Sequence, residues 1–424
     1  MTRKTILLIG TYDTKEPEMR FIEGVVRAQG ADVLTMDVSV LGDPENATDI
    51  SKHEIAAAGG MTVDQVIAQG DENKAFRVMS AGAANVVAEA HARGRFHGML
   101  AIGGTMGTDL ALDCAQALPM GVPKYIVSTV SFSPLIPPHR LAPDIQMILW
   151  AGGLYGMNSI CRSSLSQAAG AVVGATNAAI EVDRSKPLIG MTSLGSSCLR
   201  YMKTLKPALE SRGFEVAVFH STGMGGMAFE KLAGEGAFVC VMDFCMQEFG
   251  NLMAGSVVAS GEDRVTNAGR AGTPQMVAPG ALDLLDFAGW QDIPDQYADR
   301  PFHEHNRLIK SSVFTGEERR AWMRELANRL EAATGPVHFF LPVQGVEAWD
   351  KEGEEAYDPE ALAEMVDEAR TTMSGRVPMT QLDAHINDPA FCDAVLAQFD
   401  AWVQDGTVSA SHTINEDIRH TDRK

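Results

Sequence analysis

Residues 96–109 read FHGMLAIGGTMGTD, and the reading of this stretch decides the fold. Its first half is apolar enough for a buried strand. Its second half, Gly103 to Asp109, holds three glycines and two threonines in seven positions. That composition suits neither a strand interior nor a helix interior. It predicts a turn at the carboxyl end of a strand, leading into the apolar-periodic helix that follows.

Working outward, the same rhythm recurs on both sides. TILLIGT is a short apolar run ending near Gly10. A helical pattern follows, with Pro17 in its first turn, Met19, Ile22 and Val26 on one face, and Gly30 as its stop. ADVLTMDVSV reads as a second buried strand, and Phe76, Met79, Ala83, Val86, Val87 and Ala90 mark a longer helix. PKYIVSTV and DIQMILW read as strands, and GMNSICRSSLSQAAGAVVGA as a helix. A charged break with a proline, residues 181–187, interrupts the pattern, and the rhythm then restarts with PLIGMTSLG, FEVAVFHST, AFVCVMDF and, much later, PVHFFLPV. Thr315 and Glu318 form a capping box opening a helix with Trp322, Leu326 and Leu330. The last helix starts at Asn387-Asp388-Pro389 and carries Phe391, Val395, Phe399 and Trp402 on its buried face, before a polar tail.

Strands alternating with helices require crossover connections and hence parallel sheets. The expected fold is α/β: two Rossmann-like doubly wound domains, residues 1–184 and 185–424, with an interdomain cleft. Ligands of such sheets sit outside the carboxyl ends of the strands.

Bulk properties narrow the function. A net charge of −20 over 424 residues opposes a nucleic-acid partner, because phosphate-backbone binders present excess Lys and Arg. It does not oppose one small phosphorylated molecule held by backbone N–H groups. The six cysteines form no CxxC pair, so neither a zinc framework nor a disulfide scaffold is expected. No apolar run approaches the roughly 18–20 residues that span a bilayer. A cytoplasmic protein with no membrane partner is the expectation.

Four turns rich in glycine or hydroxyls end expected strands: Gly10 to Lys15, Gly103 to Asp109, Leu194 to Ser197 and Ser221 to Gly226. Glycine lets backbone approach a ligand, and the helix that follows presents unsatisfied N–H groups. Any one of them is also what a tight βα connection needs. None is a standard nucleotide motif: in Gly190 to Ser197 the glycine spacing imitates a P-loop, but Ser196 stands where the lysine belongs. Lys15 is positioned to replace that charge from the first loop, or else is a solvated surface lysine. Asp37, ending the second strand, is a candidate for ribose hydroxyls or a simple turn acid. His303, Glu304 and His305 form the densest polar cluster, a candidate acid–base or metal pair with Asp243 and Glu248 as possible partners, or a hydrogen-bonded loop anchor. Cys198 reads as a core residue before it reads as a nucleophile.

IGTYDTK, AIGGTMGTD, STGMGGMAFEKL, AGRAGTPQMVAPGALDLLDF, FHEHN, LPVQGVEAWD and HINDPAF together resemble a largely uncharacterised bacterial and fungal family. That family shares the N-terminal ATP-binding domain of the plant tomato mosaic virus resistance protein, and the resemblance runs from Ile6 to about Phe399. It implies two Rossmann-like subdomains, bound ATP and a homodimer. It also implies a TIM-barrel partner similar to phosphoenolpyruvate hydrolases, acting in trans because this chain has no barrel. The nucleotide role carries over onto Gly10, Thr11, Asp13, Thr14 and Lys15, and onto Gly103, Gly104, Thr105, Gly107 and Thr108. Asp13 or Asp109 would orient Mg²⁺ through water. This chain departs from the pattern in TSLGSSC, which has serines where relatives have threonines and a proline, and in Arg307 after FHEHN. The expectation is an ATP-binding protein of open reaction. The alternatives are a metabolic enzyme acting on a small carboxylate or sugar acid at His303, Glu304 and His305, and an interaction module without chemistry.

Overall fold

The computed structural model describes residues 3–150, 156–180, 185–304, 306–373 and 375–410. The chain forms two compact units, Met1–Glu181 and Val182–Lys424.

In the first unit, β1 (Thr5–Gly10), β2 (Asp32–Asp37), β3 (Gly98–Gly103), β4 (Lys124–Ser128) and β5 (Ile145–Leu149) form one sheet in the order β2-β1-β3-β4-β5. Every pairing is parallel. The helices are α1 (Tyr12–Ala28), α2 (Lys52–Ala58), α3 (Val63–Ile67), α4 (Glu72–Ala92), α5 (Thr105–Gln116) and α6 (Ser159–Ala178). Strand alternation sorts the core into two layers. Ile6 and Leu8 pack with Met19, Ile22 and Val26 of α1 and with Leu165, Ala169 and Val172 of α6. Leu7 and Ile9 face the other way, toward Met79, Ala83 and Val87 of α4 and Leu110 and Cys114 of α5. Each fully buried Leu, Ile, Val or Met among them stabilises the unit by about 1.5–3 kcal/mol.

α1 is interrupted at Lys15, whose φ of −125° and ψ of 15° leave the helical region. The break follows from Pro17, which cannot donate an N–H and fits best in a first helical turn. One short turn, Tyr12 to Thr14, therefore precedes the helix proper.

The second unit repeats the plan. β6 (Leu188–Ser193), β7 (Glu215–His220), β8 (Cys240–Cys245), β9 (Gln275–Gly280), β13 (Val337–Pro342) and β14 (Met379–Leu382) stand in the order β14-β13-β9-β8-β6-β7, all parallel. Its helices are α7 (Met202–Glu210), α8 (Met224–Gly234), α9 (Gln247–Met253), α10 (Asn267–Arg270), α11 (Gly316–Glu331), α12 (Pro359–Met373) and α13 (Pro389–Gln404). The capping box at Thr315 and Glu318 is present. α13 begins with Pro389 in its first turn and buries Phe391, Val395, Phe399 and Trp402.

One layer lies outside the two doubly wound sheets. β10 (Leu284–Ala288), β11 (His303–Glu304) and β12 (Ile309–Val313) make a small antiparallel sheet in the order β10-β12-β11. Among the described residues, no helix is long and apolar enough to cross a membrane.

Candidate functional site

The strand order of the first sheet reverses direction at β1: the chain leaves it for β2 on one side, then returns to β3 on the other. At such a switch point the loops leaving the two central strands splay apart and open a crevice. Those loops are Gly10–Lys15 and Gly103–Gly107. Between them lies a cavity of about 330 Å³ lined by Gly10, Thr11, Lys15, Val38, Gly103, Gly104, Thr105, Met106 and Gly107. Thr11, Val38, Met106 and Gly107 also line a neighbouring cavity of about 460 Å³. Asp13, Thr14, Ser39, Asp71 and Glu72 add polar groups to it, and Val40, Leu41, Val66, Ile67, Phe76, Met79 and Leu110 give it a largely apolar wall.

The four glycines divide into two kinds. A Cβ on Gly10 would stand 2.6 Å from Met19 Sδ, and one on Gly103 would stand 2.6 Å from the Gly107 backbone. Packing alone accounts for both. A Cβ on Gly104 meets nothing nearer than Thr129 Oγ1 at 3.9 Å, and one on Gly107 nothing nearer than Ile102 O at 3.6 Å. Gly104 has φ of −74°, open to any residue. Neither crowding nor backbone strain calls for glycine at these two places, and both face the cavity.

Gly104 is also the N-cap of α5, and it supplies no side-chain cap. The first-turn N–H groups of Thr105, Met106 and Gly107 have no acceptor within the helix. With the helix dipole they make the cavity floor attractive to an anion. The Lys15 side chain stands in the opposite wall.

Asp37 and Thr108 sit behind this wall. Asp37 is buried, and its Oδ1 accepts from Tyr12 N at 3.1 Å, Ser39 N at 3.0 Å and Ser39 Oγ at 2.6 Å. It pins the start of α1 to the loop after β2. Thr108 is buried too, with Oγ1 2.6 Å from Ser128 Oγ. Asp13 is divided: Oδ2 accepts from Gly42 N at 3.3 Å, whereas Oδ1 is buried with no partner. Asp109 is turned the other way, into an ion pair with Arg140. Most of the apolar wall is not legible in the sequence, because Leu41, Val66 and Ile67 lie in short segments with no clear period.

The candidates in the second unit are placed differently. His303 and Glu304 are exposed on β11, at the edge of the small sheet, and His303 Nδ1 lies 3.1 Å from Glu355 Oε2. His305 lies outside the described residues. Asp243 and Glu248 are buried around Arg264, together with Glu230. Burial pushes Glu230 and Glu248 up to about 7 against the opposing pull of the guanidinium. Glu248 accepts from the N–H groups of Gly223 and Gly226, so an internal carboxylate already fills the Ser221–Gly226 turn. No group of three or more His, Cys, Asp or Glu among the described residues is arranged to hold a metal ion. Cys198 is buried, its thiol 3.4 Å from Glu347 Oε2.

The architecture thus defines a class: a protein of two doubly wound α/β units, the first with a glycine-lined cavity at its switch point. Residues 4–181 match the N-terminal domain, and residues 186–403 the C-terminal domain, of an uncharacterised protein family, UPF0261. The chain belongs to that family. It is 53% identical over 403 residues to a UPF0261 protein of Brucella melitensis, covering 95% of this chain and 96% of the relative. It is 33% identical over 394 residues to one from Clostridium tetani, covering 92% and 97%. The ToMV resistance protein Tm-1(GCR237) of Solanum lycopersicum is 28% identical over 419 residues, which are 93% of this chain but 55% of the plant protein.

Proposed function

We propose that the first unit binds ATP at the carboxyl ends of β1 and β3. One observation carries this reading: Gly104 and Gly107, which no packing or backbone need explains, border the uncapped start of α5 inside a cavity that also takes Lys15. The polyphosphate would lie on the N–H groups of Thr105, Met106 and Gly107, with the Lys15 ammonium facing it. The adjoining apolar cavity suits a flat heteroaromatic base, gripped between Leu41, Phe76 and Leu110. Bound ATP would bring a transferable phosphoryl group and Mg²⁺. The unpartnered Asp13 Oδ1 and the hydroxyls of Thr11 and Thr14 are hard oxygen ligands of the kind Mg²⁺ takes, directly or through water.

The exposure of His303 and Glu304 gives no support to the rival reading of a carboxylate or sugar-acid enzyme centred there. The decisive variant is Gly104→Asp. It places a carboxylate in the cradle, and its Cβ has room there, so the thermal melt should stay within a few degrees while ATP affinity falls by about tenfold or more. Calorimetric titration of wild type and variant reads both. Undiminished ATP affinity in a folded Gly104→Asp protein would remove the polyphosphate from this loop.

A further inference from the structure

The carboxyl edge of the second sheet gathers ionisable groups that touch no counter-ion among the described residues. Asp283 follows β9, Glu347 and Asp350 follow β13, and Arg319 stands on α11; all four are buried. Both oxygens of Asp283, Glu347 Oε1, Asp350 Oδ1 and both terminal nitrogens of Arg319 lack a hydrogen-bond partner. Arg319 acts electrostatically on Asp283 and Asp350, so its unpartnered nitrogens share their surroundings. The backbone carrying Asp283 is itself unusual, since Ala281 has φ of 53°. Two of the three carboxyl groups, Asp283 and Asp350, feel the single guanidinium, and no cluster among the described residues is arranged for a metal. Buried like charges that neither a metal nor an ion pair neutralises take up protons instead.

We propose that Asp283, Glu347 and Asp350, with Arg319, form a proton-holding switch that keeps the 343–350 loop closed while protonated and loosens it on deprotonation. The loop hangs on these groups. Glu347 Oε2 accepts from Trp349 N at 2.7 Å, Asp350 Oδ2 accepts from Val346 N at 3.1 Å, and the Val346 carbonyl accepts from Ala281 N at 3.0 Å. From the loop after β6, the Cys198 thiol points at Glu347. From the segment after β14, His385 Nδ1 accepts from Asn387 N, which leaves Nε2 to donate to the Glu347 carbonyl. Burial pushes the His385 imidazole below its ordinary value. Asp358 adds a negative charge near Asp350, while Lys351, Arg200 and Asp388 face His385.

Burial first, then the neighbouring Asp283, pushes Glu347 up to about 9 and Asp350 up to about 7. A carboxyl whose folded-state value is raised stabilises most below its ordinary range, and that stabilisation is lost as pH rises through the folded value. The loop should therefore loosen progressively from the ordinary carboxyl range, about pH 4, with the contribution of Asp350 complete near pH 7 and that of Glu347 near pH 9.

Amide hydrogen exchange on the full chain, corrected for the intrinsic rate at each pH, tests this. Protection of residues 343–350 relative to β8 should fall by about tenfold or more between about pH 6 and about pH 9. Glu347→Gln imitates the protonated carboxyl and should remove the loosening between about pH 7 and about pH 9, leaving only the part that Asp350 contributes. Should that variant not fold, Asp350→Asn is read in the same way. A wild-type loop whose relative protection is flat across this range overturns the proposal, as does a folded Glu347→Gln protein that opens as wild type does.

Discussion

Asp37 shows how a residue can serve a site without lining it. Its Oδ1 takes hydrogen bonds from Tyr12 N, Ser39 N and Ser39 Oγ, and so sets where α1 starts and where the loop after β2 turns toward the cavity. Replacing it by alanine leaves two buried N–H groups unsatisfied. Asp37→Ala is expected to lower stability by about 2–4 kcal/mol. Denaturant unfolding would read this, and an unchanged midpoint would show that the acid is dispensable to the fold. The glycines teach a related lesson. Gly10, Gly103, Gly104 and Gly107 are alike as letters, and only the space around each Cβ separates the two that pack from the two that open onto a cavity. Sequence could mark the loop but not divide it.

At the scale of elements, legibility followed periodicity. β1, β3, α4, α6, α11 and α13 are long or strongly patterned, and α11 and α13 start at the expected caps. α2 and α3 are too short for their apolar residues to show a period, so they disappear into what reads as a long loop. The antiparallel β10-β12-β11 sheet escapes for another reason: its strands are separated by irregular segments and pair out of chain order. The Ser221–Gly226 turn looked like an anion cradle, and it is one, but Glu248 from α9 occupies it. Arg264 then ties Glu230 of α8, Asp243 of β8 and Glu248 together in the dry interior. Removing one partner of such a cluster strands the others. Arg264→Met is expected to cost about 3–5 kcal/mol or to prevent folding. A loss below about 1 kcal/mol in chemical denaturation would mean that the carboxyls are satisfied without it.

For the whole molecule, two doubly wound units of the same strand plan use their carboxyl edges differently. In the first, loops from β1 and β3 leave an open cradle of N–H groups beside Lys15 and an apolar slot. In the second, the corresponding edge is closed over buried acids and arginines. Alternation of strand and helix made both sheets legible from the sequence, whereas the division of labour between them depends on which loop carries its own carboxylate. The proposed binding of ATP at the open edge is read out by calorimetric titration of ATP, ADP and AMP into the whole chain, with and without Mg²⁺. ATP should bind tightest, with affinity falling by about tenfold or more for each phosphate removed as N–H and Lys15 contacts are lost. Equal affinity for all three, or no binding of any, would contradict it.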